Sequence, residues 1–187
     1  MGKGVKMAVV VGVLVLLVGG WLIKGYNGVI RMDEDVKEKW AQVENQLKRR
    51  YDLIPNLVET VKGYAAHERE IFTAIAEART KYFAAQSVGE KVEASRGLEG
   101  ALSRLLMLQE NYPQLKANEN FLKLQDSLEG TENRIAVERR TYNEVAQRFN
   151  TMIRTFPRNF VASMLGFSSK AYFEAAAGAE KAPEVKF

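Results

Sequence analysis

The chain has 187 residues, no cysteine, one histidine and four prolines, a length that suits one domain with a sizeable core. Without cysteine there is no disulfide framework, thiol nucleophile, Cys-type zinc site or lipidated cysteine. The 27 basic and 23 acidic side chains leave a net charge of +4, but Lys3, Lys6 and Lys24 fall in residues 1–25 with no acid, so the rest is nearly neutral and no nucleic acid partner is expected.

The first element is apolar. From Met7 to Ile23 (MAVVVGVLVLLVGGWLI) no residue is charged, and those seventeen residues make about 26 Å of helix against a hydrocarbon core of about 30 Å. Lys6 and Lys24 snorkel and extend the span, and Trp21 and Tyr26 stand where an interfacial aromatic belt sits. The segment 1–25 is therefore read as a transmembrane anchor with Met7, Gly12, Gly19, Gly20, Trp21 and Ile23 in the membrane. The rival reading is a cleaved signal with Val18-Gly19-Gly20 as its small-residue site; the lack of an A-x-A pattern and the bulky Trp21 favour retention. Lys and Arg counts place the following domain in the cytoplasm, whereas the short basic tail before the span behaves as a signal anchor and exports it; the balance leans to export. Ala8 and Gly12 form one small-xxx-small step on which two spans can pack, although glycine is common in membrane helices anyway.

From Val29 onward apolar residues recur at spacings of three and four, and no useful run alternates with period two, so the chain is all-α. The first segment carries Tyr26, Val29, Val36, Trp40, Val43, Leu47 and Ile54 in one stripe and ends at Leu53-Ile54-Pro55, because the residue before proline avoids the helical region. The second runs from about Pro55 to Gln86 with Leu57, Val61, Tyr64, Ile71, Ile75 and Tyr82 inward, and Ser87-Val88-Gly89 breaks it. The third, about Glu90 to Asn111, buries Val92, Leu98, Leu102, Leu105 and Leu106 and stops at Tyr112-Pro113. After an irregular stretch (QLKANE), the longest runs from Asn118, capped there or at Asn120, to about Phe156. Phe121, Leu128, Ile135, Tyr142, Phe149 and Phe156 repeat along it every seven residues, with Leu124, Val145 and Met152 alongside, as a bundle seam does.

The pattern predicts an N-terminal transmembrane helix followed by an elongated antiparallel four-helix bundle over 26–156 and an apolar C-terminal tail. The alternative is that Pro55 only kinks one continuous helix of an extended coiled coil. Asp33, Arg50, Glu68, Thr131 and Glu138 interrupt the stripes. Either Arg50 or Arg79 pairs inside the bundle with Glu68 or Glu138, or the bundle hydrates at those levels.

The tail, 157–187, divides at residue 173. Phe160, Val161, Met164, Leu165, Phe167, Tyr172 and Phe173 are too many apolar groups for a solvated segment. Either they fold back over the bundle end or they dock on a neighbouring copy, a partner or the membrane surface. Residues 174–187 (EAAAGAEKAPEVKF) are expected to be flexible.

No constellation for chemistry emerges. His67-Glu68 would begin a zincin motif, but the second histidine would fall at Ile71, and a bundle di-iron site needs two Glu-x-x-His pairs where this chain has one histidine. No nucleophile elbow, Walker loop or dinucleotide fingerprint is present. Ser127, Ser163, Ser168 and Ser169 lack a recognisable base, Lys170 near the last two being read as tail solvation. The expectation is no enzyme activity and no cofactor. Lys48-Arg49-Arg50 lies near the end of the first segment, where cations suit the helix dipole or meet an anionic headgroup or acidic partner.

Tyr26-Asn27, the block LKRRYDLIPNLVETVKGYAAHE (Leu47–Glu68), Ala78-Arg79, Tyr112-Pro113 with LKAN (Leu115–Asn118), Tyr142-Asn143, Asn150, Phe156-Pro157 and Gly166-Phe167 together resemble the LemA family of bacterial membrane proteins, over nearly all of the chain from Tyr26 to Phe173. The resemblance implies one membrane helix, a long-helix bundle, no established activity or ligand, and a place in the bacterial cytoplasmic membrane. Family members are often encoded near a membrane zinc metalloprotease or a TPM-domain membrane protein, which suggests envelope maintenance or membrane protein quality control. It also implies that Arg49, Arg50, Tyr51, Asp52, Pro55, Asn56, Arg79, Tyr142, Asn143, Phe156 and Pro157 define the bundle or its contacts. The expected function is a self-associating, non-catalytic membrane-anchored scaffold or adaptor. The alternative is a binding module that presents a peptide, lipid or substrate to a membrane protease or other envelope protein. The contacts expected are Lys48, Arg49, Arg50, Phe160, Met164, Leu165, Phe167, Tyr172 and Phe173, with Arg50, Glu68, Arg79 and Glu138 as buried polar groups.

Overall fold

The computed structural model describes residues 2–173, so the segment 174–187, expected to be flexible, lies outside the described residues. Among the described residues the protein is all-α. Its six helices are α1 (Lys3–Lys62), α2 (Arg69–Ala84), α3 (Val88–Asn111), α4 (Pro113–Lys116), α5 (Glu119–Arg154) and α6 (Arg158–Met164).

The largest difference from the sequence reading is at Pro55, which does not end a helix but lies inside the sixty-residue α1. Proline within a helix costs about 3 kcal/mol, through one lost backbone bond and the clash of its ring with the preceding turn. On either side of it Ile54, Leu57 and Val61 continue the inward stripe at 1% exposure or less, and each buried aliphatic side chain contributes about 1.5–3 kcal/mol. Keeping the stripe in register therefore outweighs the lost bond. The chain turns at Gly63 instead, where the amides of Tyr64 and Ala65 both return to the Val61 carbonyl, and Tyr64, expected inside, is left 38% exposed.

The other joints obey local chemistry. Ser87 caps α3 in a reciprocal box: its hydroxyl accepts from the Glu90 amide at 3.2 Å and the Glu90 carboxylate accepts from the Ser87 amide at 3.0 Å. Pro113 stops α3 but opens α4, a single helical turn where an irregular stretch was expected, because proline suits the first turn. Asn118 caps α5 by accepting from the Phe121 amide at 3.0 Å. That helix ends at Arg154, so Phe156 falls outside the seam it was expected to complete and is 75% exposed.

The chain divides into two compact units. The first holds residues up to Gln42 together with Thr141–Lys170. In it Val29, Val36, Trp40, Tyr142, Val145, Ala146, Phe149, Val161 and Ala162 are buried, and Trp40 meets Tyr142 edge to face at 5.6 Å. The second unit holds Val43–Arg140 and the chain after Lys170. Its core takes Leu47, Tyr51, Leu57 and Val61 from α1, Ile75 and Tyr82 from α2, Leu98, Leu102 and Leu105 from α3, and Phe121, Leu128 and Ile135 from α5. Of the expected inward positions of α3, Leu106 is only half-buried and Leu108 is buried in its place.

Candidate functional site

Two clusters carry the polar and exposed apolar chemistry, one in each unit. In the second unit the basic triplet is split by helix geometry. Lys48 and Arg49 face solvent, whereas Arg50, 9% exposed, turns inward. It pairs with Glu132 of α5 and lies 4.0 Å from Glu99 of α3, which is also held by Arg139. Arg50 thus meets Glu132 and Glu99 rather than Glu68 or Glu138, because its stripe on α1 passes closer to those turns of α3 and α5. Glu68 is half-buried beyond the end of α1 and accepts from the Tyr112 hydroxyl at 3.2 Å. Arg79 lies half-buried over the Phe83 ring at 5.0 Å, and Glu138 is half-buried on α5.

Beside this network Tyr51 and Tyr82 meet edge to face with ring centroids 4.5 Å apart. Burial pushes both hydroxyls up, Tyr82 to about 12 and Tyr51 further, so both stay protonated. The network is a structural cross-brace of α1, α3 and α5. No group of three or more His, Asp or Glu able to hold a metal ion occurs among the described residues, and His67 is exposed in the turn after α1.

In the first unit the chain after α6 is clasped. Asn150 of α5 donates from Nδ2 to the Lys170 carbonyl at 2.9 Å and accepts from the Lys170 amide at 2.7 Å. The Lys170 ammonium then reaches Asp33 of α1 at 2.6 Å, and Lys37 reaches the other oxygen of that carboxylate at 2.9 Å. Burial alone raises the Asp33 carboxyl, but the hydrogen bonds and charges of Lys170 and Lys37 outweigh it and hold the group below its ordinary value. Phe167 packs on Phe149 at 5.8 Å, and Lys170 lies over the same ring. Lys170, read from the sequence as a solvated tail residue, is in fact an anchor point; a cation near an apolar run gave no signal of its buried acid 137 positions away in the chain.

The expected contact residues of the tail divide accordingly. Leu165, Phe167 and Phe173 are half-buried, Phe173 beneath the Arg139 guanidinium at 4.8 Å. Tyr172 is 40% exposed, while Phe160 and Met164 stand open at 66% and 79%. In the first unit an open groove of about 710 Å³ is lined by Trp21, Lys24, Met32, Met152, Phe156 and Pro157. Upstream, Met7, Trp21 and Ile23 are 70%, 45% and 63% exposed. Among the described residues no other part of the chain comes within 4 Å of a Cβ built on Gly12, Gly19 or Gly20.

A chain that is all-helical among its described residues and whose first helix has an exposed stretch long and apolar enough to cross a membrane is a membrane-associated helical protein. The LemA family model matches residues 39–187. The chain belongs to the LemA family. It is 29% identical over 179 aligned residues to magnetosome protein MamQ 2 of Paramagnetospirillum magneticum, covering 82% of this chain and 66% of that protein. It is 28% identical over 201 to magnetosome protein MamQ of Magnetospirillum gryphiswaldense, covering 92% and 74%, and 27% identical over 150 to protein LemA of Metamycoplasma hominis, covering 80% and 68%. The chain thus spans a little under two thirds of the length of MamQ 2.

Proposed function

We propose that the protein is a non-catalytic, membrane-anchored helical scaffold that self-associates and works in envelope maintenance or membrane protein quality control. The observation that carries this reading is the composition of α1. One helix supplies both the exposed apolar stretch from Met7 to Ile23 and, from Val29 onward, the inward stripe around which the other helices are bonded. The buried Arg50 of α1 reaches Glu99 of α3 and Glu132 of α5, as cross-braces do. Relatives named as magnetosome proteins support work at a membrane. The helical region lies on the extracytoplasmic side. Sizing of the full chain in mild detergent tests self-association: a monodisperse monomer at micromolar concentration refutes it.

A second reading, a module that presents a peptide or substrate to a membrane protease, draws on an open groove of about 820 Å³ between α2 and α3, floored by Ala74, Ala78, Ala94, Gly97 and Ala101. Ala94→Gln within that groove should abolish co-purification with such a protease and leave thermal stability nearly unchanged.

A further inference from the structure

We propose that the chain touches its membrane twice: the open face of α6, with Phe156, Phe160 and Met164, is seated in the interface of the same bilayer that α1 spans. Phe156, Phe160 and Met164 are four residues apart and 75%, 66% and 79% exposed, and the Phe156 and Phe160 rings touch edge to face at 6.0 Å. The other side of the short helix is satisfied, since Val161 and Ala162 are 5% and 1% exposed. Three large apolar side chains on one face of a helical turn are a poor surface to leave in water.

What covers them follows from where α6 is held. The uncharged run of α1 ends at Ile23, and the Val161 side chain lies 3.9 Å from a Cβ built on Gly25, two residues further on. Trp21, one turn before Gly25, lines the same groove as Phe156 and Pro157. Packing therefore places α6 at the level where α1 leaves the hydrocarbon, the depth at which Trp21 joins an aromatic belt. Lys24, Arg148 and Arg158 line that groove as well, so cations flank the apolar face as they do in helices that lie among anionic headgroups. A second chain would have to be recruited to this face. The bilayer is already there, because α1 brings it to within a residue or two of the packing contact. Two contacts instead of one hold α6 and the first turns of α1 beyond the membrane at a defined tilt, which a single span does not.

The inference rests on α1 spanning the bilayer, and its test separates the two. The protein lacks cysteine, so single substitutions Phe160→Cys, Met164→Cys, Leu14→Cys and Asp35→Cys give one spin label each in the full chain, reconstituted into vesicles of phosphatidylcholine and phosphatidylglycerol. Leu14 lies inside the span, and Asp35 is exposed about 16 Å beyond Lys24 along α1. Accessibility to oxygen, which concentrates in lipid, is compared with that to a water-soluble nickel chelate. The expected result is an oxygen-to-nickel ratio several-fold higher at residues 160 and 164 than at 35, and lower than at 14. Ratios at 160 and 164 equal to that at 35 overturn the second contact and leave the span intact. Low accessibility to both reagents means that a protein chain covers the face and overturns it as well. A Leu14 label that reads water overturns the span and, with it, the second contact.

Discussion

Asn150→Ala tests the clasp that holds the chain after α6 against α5. Asn150 is 5% exposed, and its amide group makes two well-formed bonds to the Lys170 backbone, at 2.9 and 2.7 Å. Alanine removes both without adding bulk. At about 1 kcal/mol net for each bond, the clasped state loses about 2 kcal/mol relative to the open one, or about thirtyfold in the opening equilibrium. The Lys170–Asp33 ion pair remains and limits the loss to that range. The Lys170 amide itself donates one of the two bonds, so its hydrogen exchange reports directly. In detergent micelles the protection of residues 167–170 should fall by about thirtyfold, while the buried turns of α5 keep theirs. Unchanged protection at Lys170 in a variant with unaltered helical circular dichroism would refute the clasp, and with it the reason why Phe167 packs while Phe160 does not.

Other outcomes follow from the same geometry. Arg50→Met breaks a largely buried pair, but Glu132, whose side chain is 47% exposed, can turn to water, so the loss should be about 2 kcal/mol rather than the 3–5 of a fully buried break. Adding Glu132→Gln should recover part of it, and denaturation midpoints in which the two losses simply add would show the pair to be uncoupled. The Asp33 carboxyl is depressed when folded, so its contribution is complete above the unfolded value, near 3.8, and is lost as pH falls through the lower folded value. The stability gap between the protein and Asp33→Asn should therefore hold at neutral pH and narrow as pH falls through the unfolded value and below it, and a gap that widens contradicts the ion pair. Ser87→Ala should cost about 1 kcal/mol by opening the capping box of α3. Faster amide exchange confined to the first turn of that helix is the sign to look for, and unaltered exchange there counts against the cap.

The sequence by itself determined that the chain is helical, most of the inward positions of its helices, and where a run long and apolar enough to cross a membrane lies. All three are local properties: an uncharged run, a period near 3.5, and a capping residue such as Asn118 act within a few turns of themselves. Val29, Leu47, Leu128 and Phe149 are buried where that period put them. The family resemblance carried by Leu47–Glu68 was legible for the same reason, being a contiguous string.

Tertiary structure decided the rest. Whether Pro55 ends a helix depended on a balance between one lost backbone bond and the burial of Ile54, Leu57 and Val61 against helices far along the chain. The partner of Arg50 proved to be Glu132, 82 residues away, and no spacing rule selects it over Glu68 or Glu138. The tail residues look alike in sequence, yet Phe167 finds the Phe149 ring while Phe160 and Met164 remain open. That division follows from one buried asparagine and one buried aspartate fixing Lys170, because a long-range polar clasp leaves no periodic trace in a sequence.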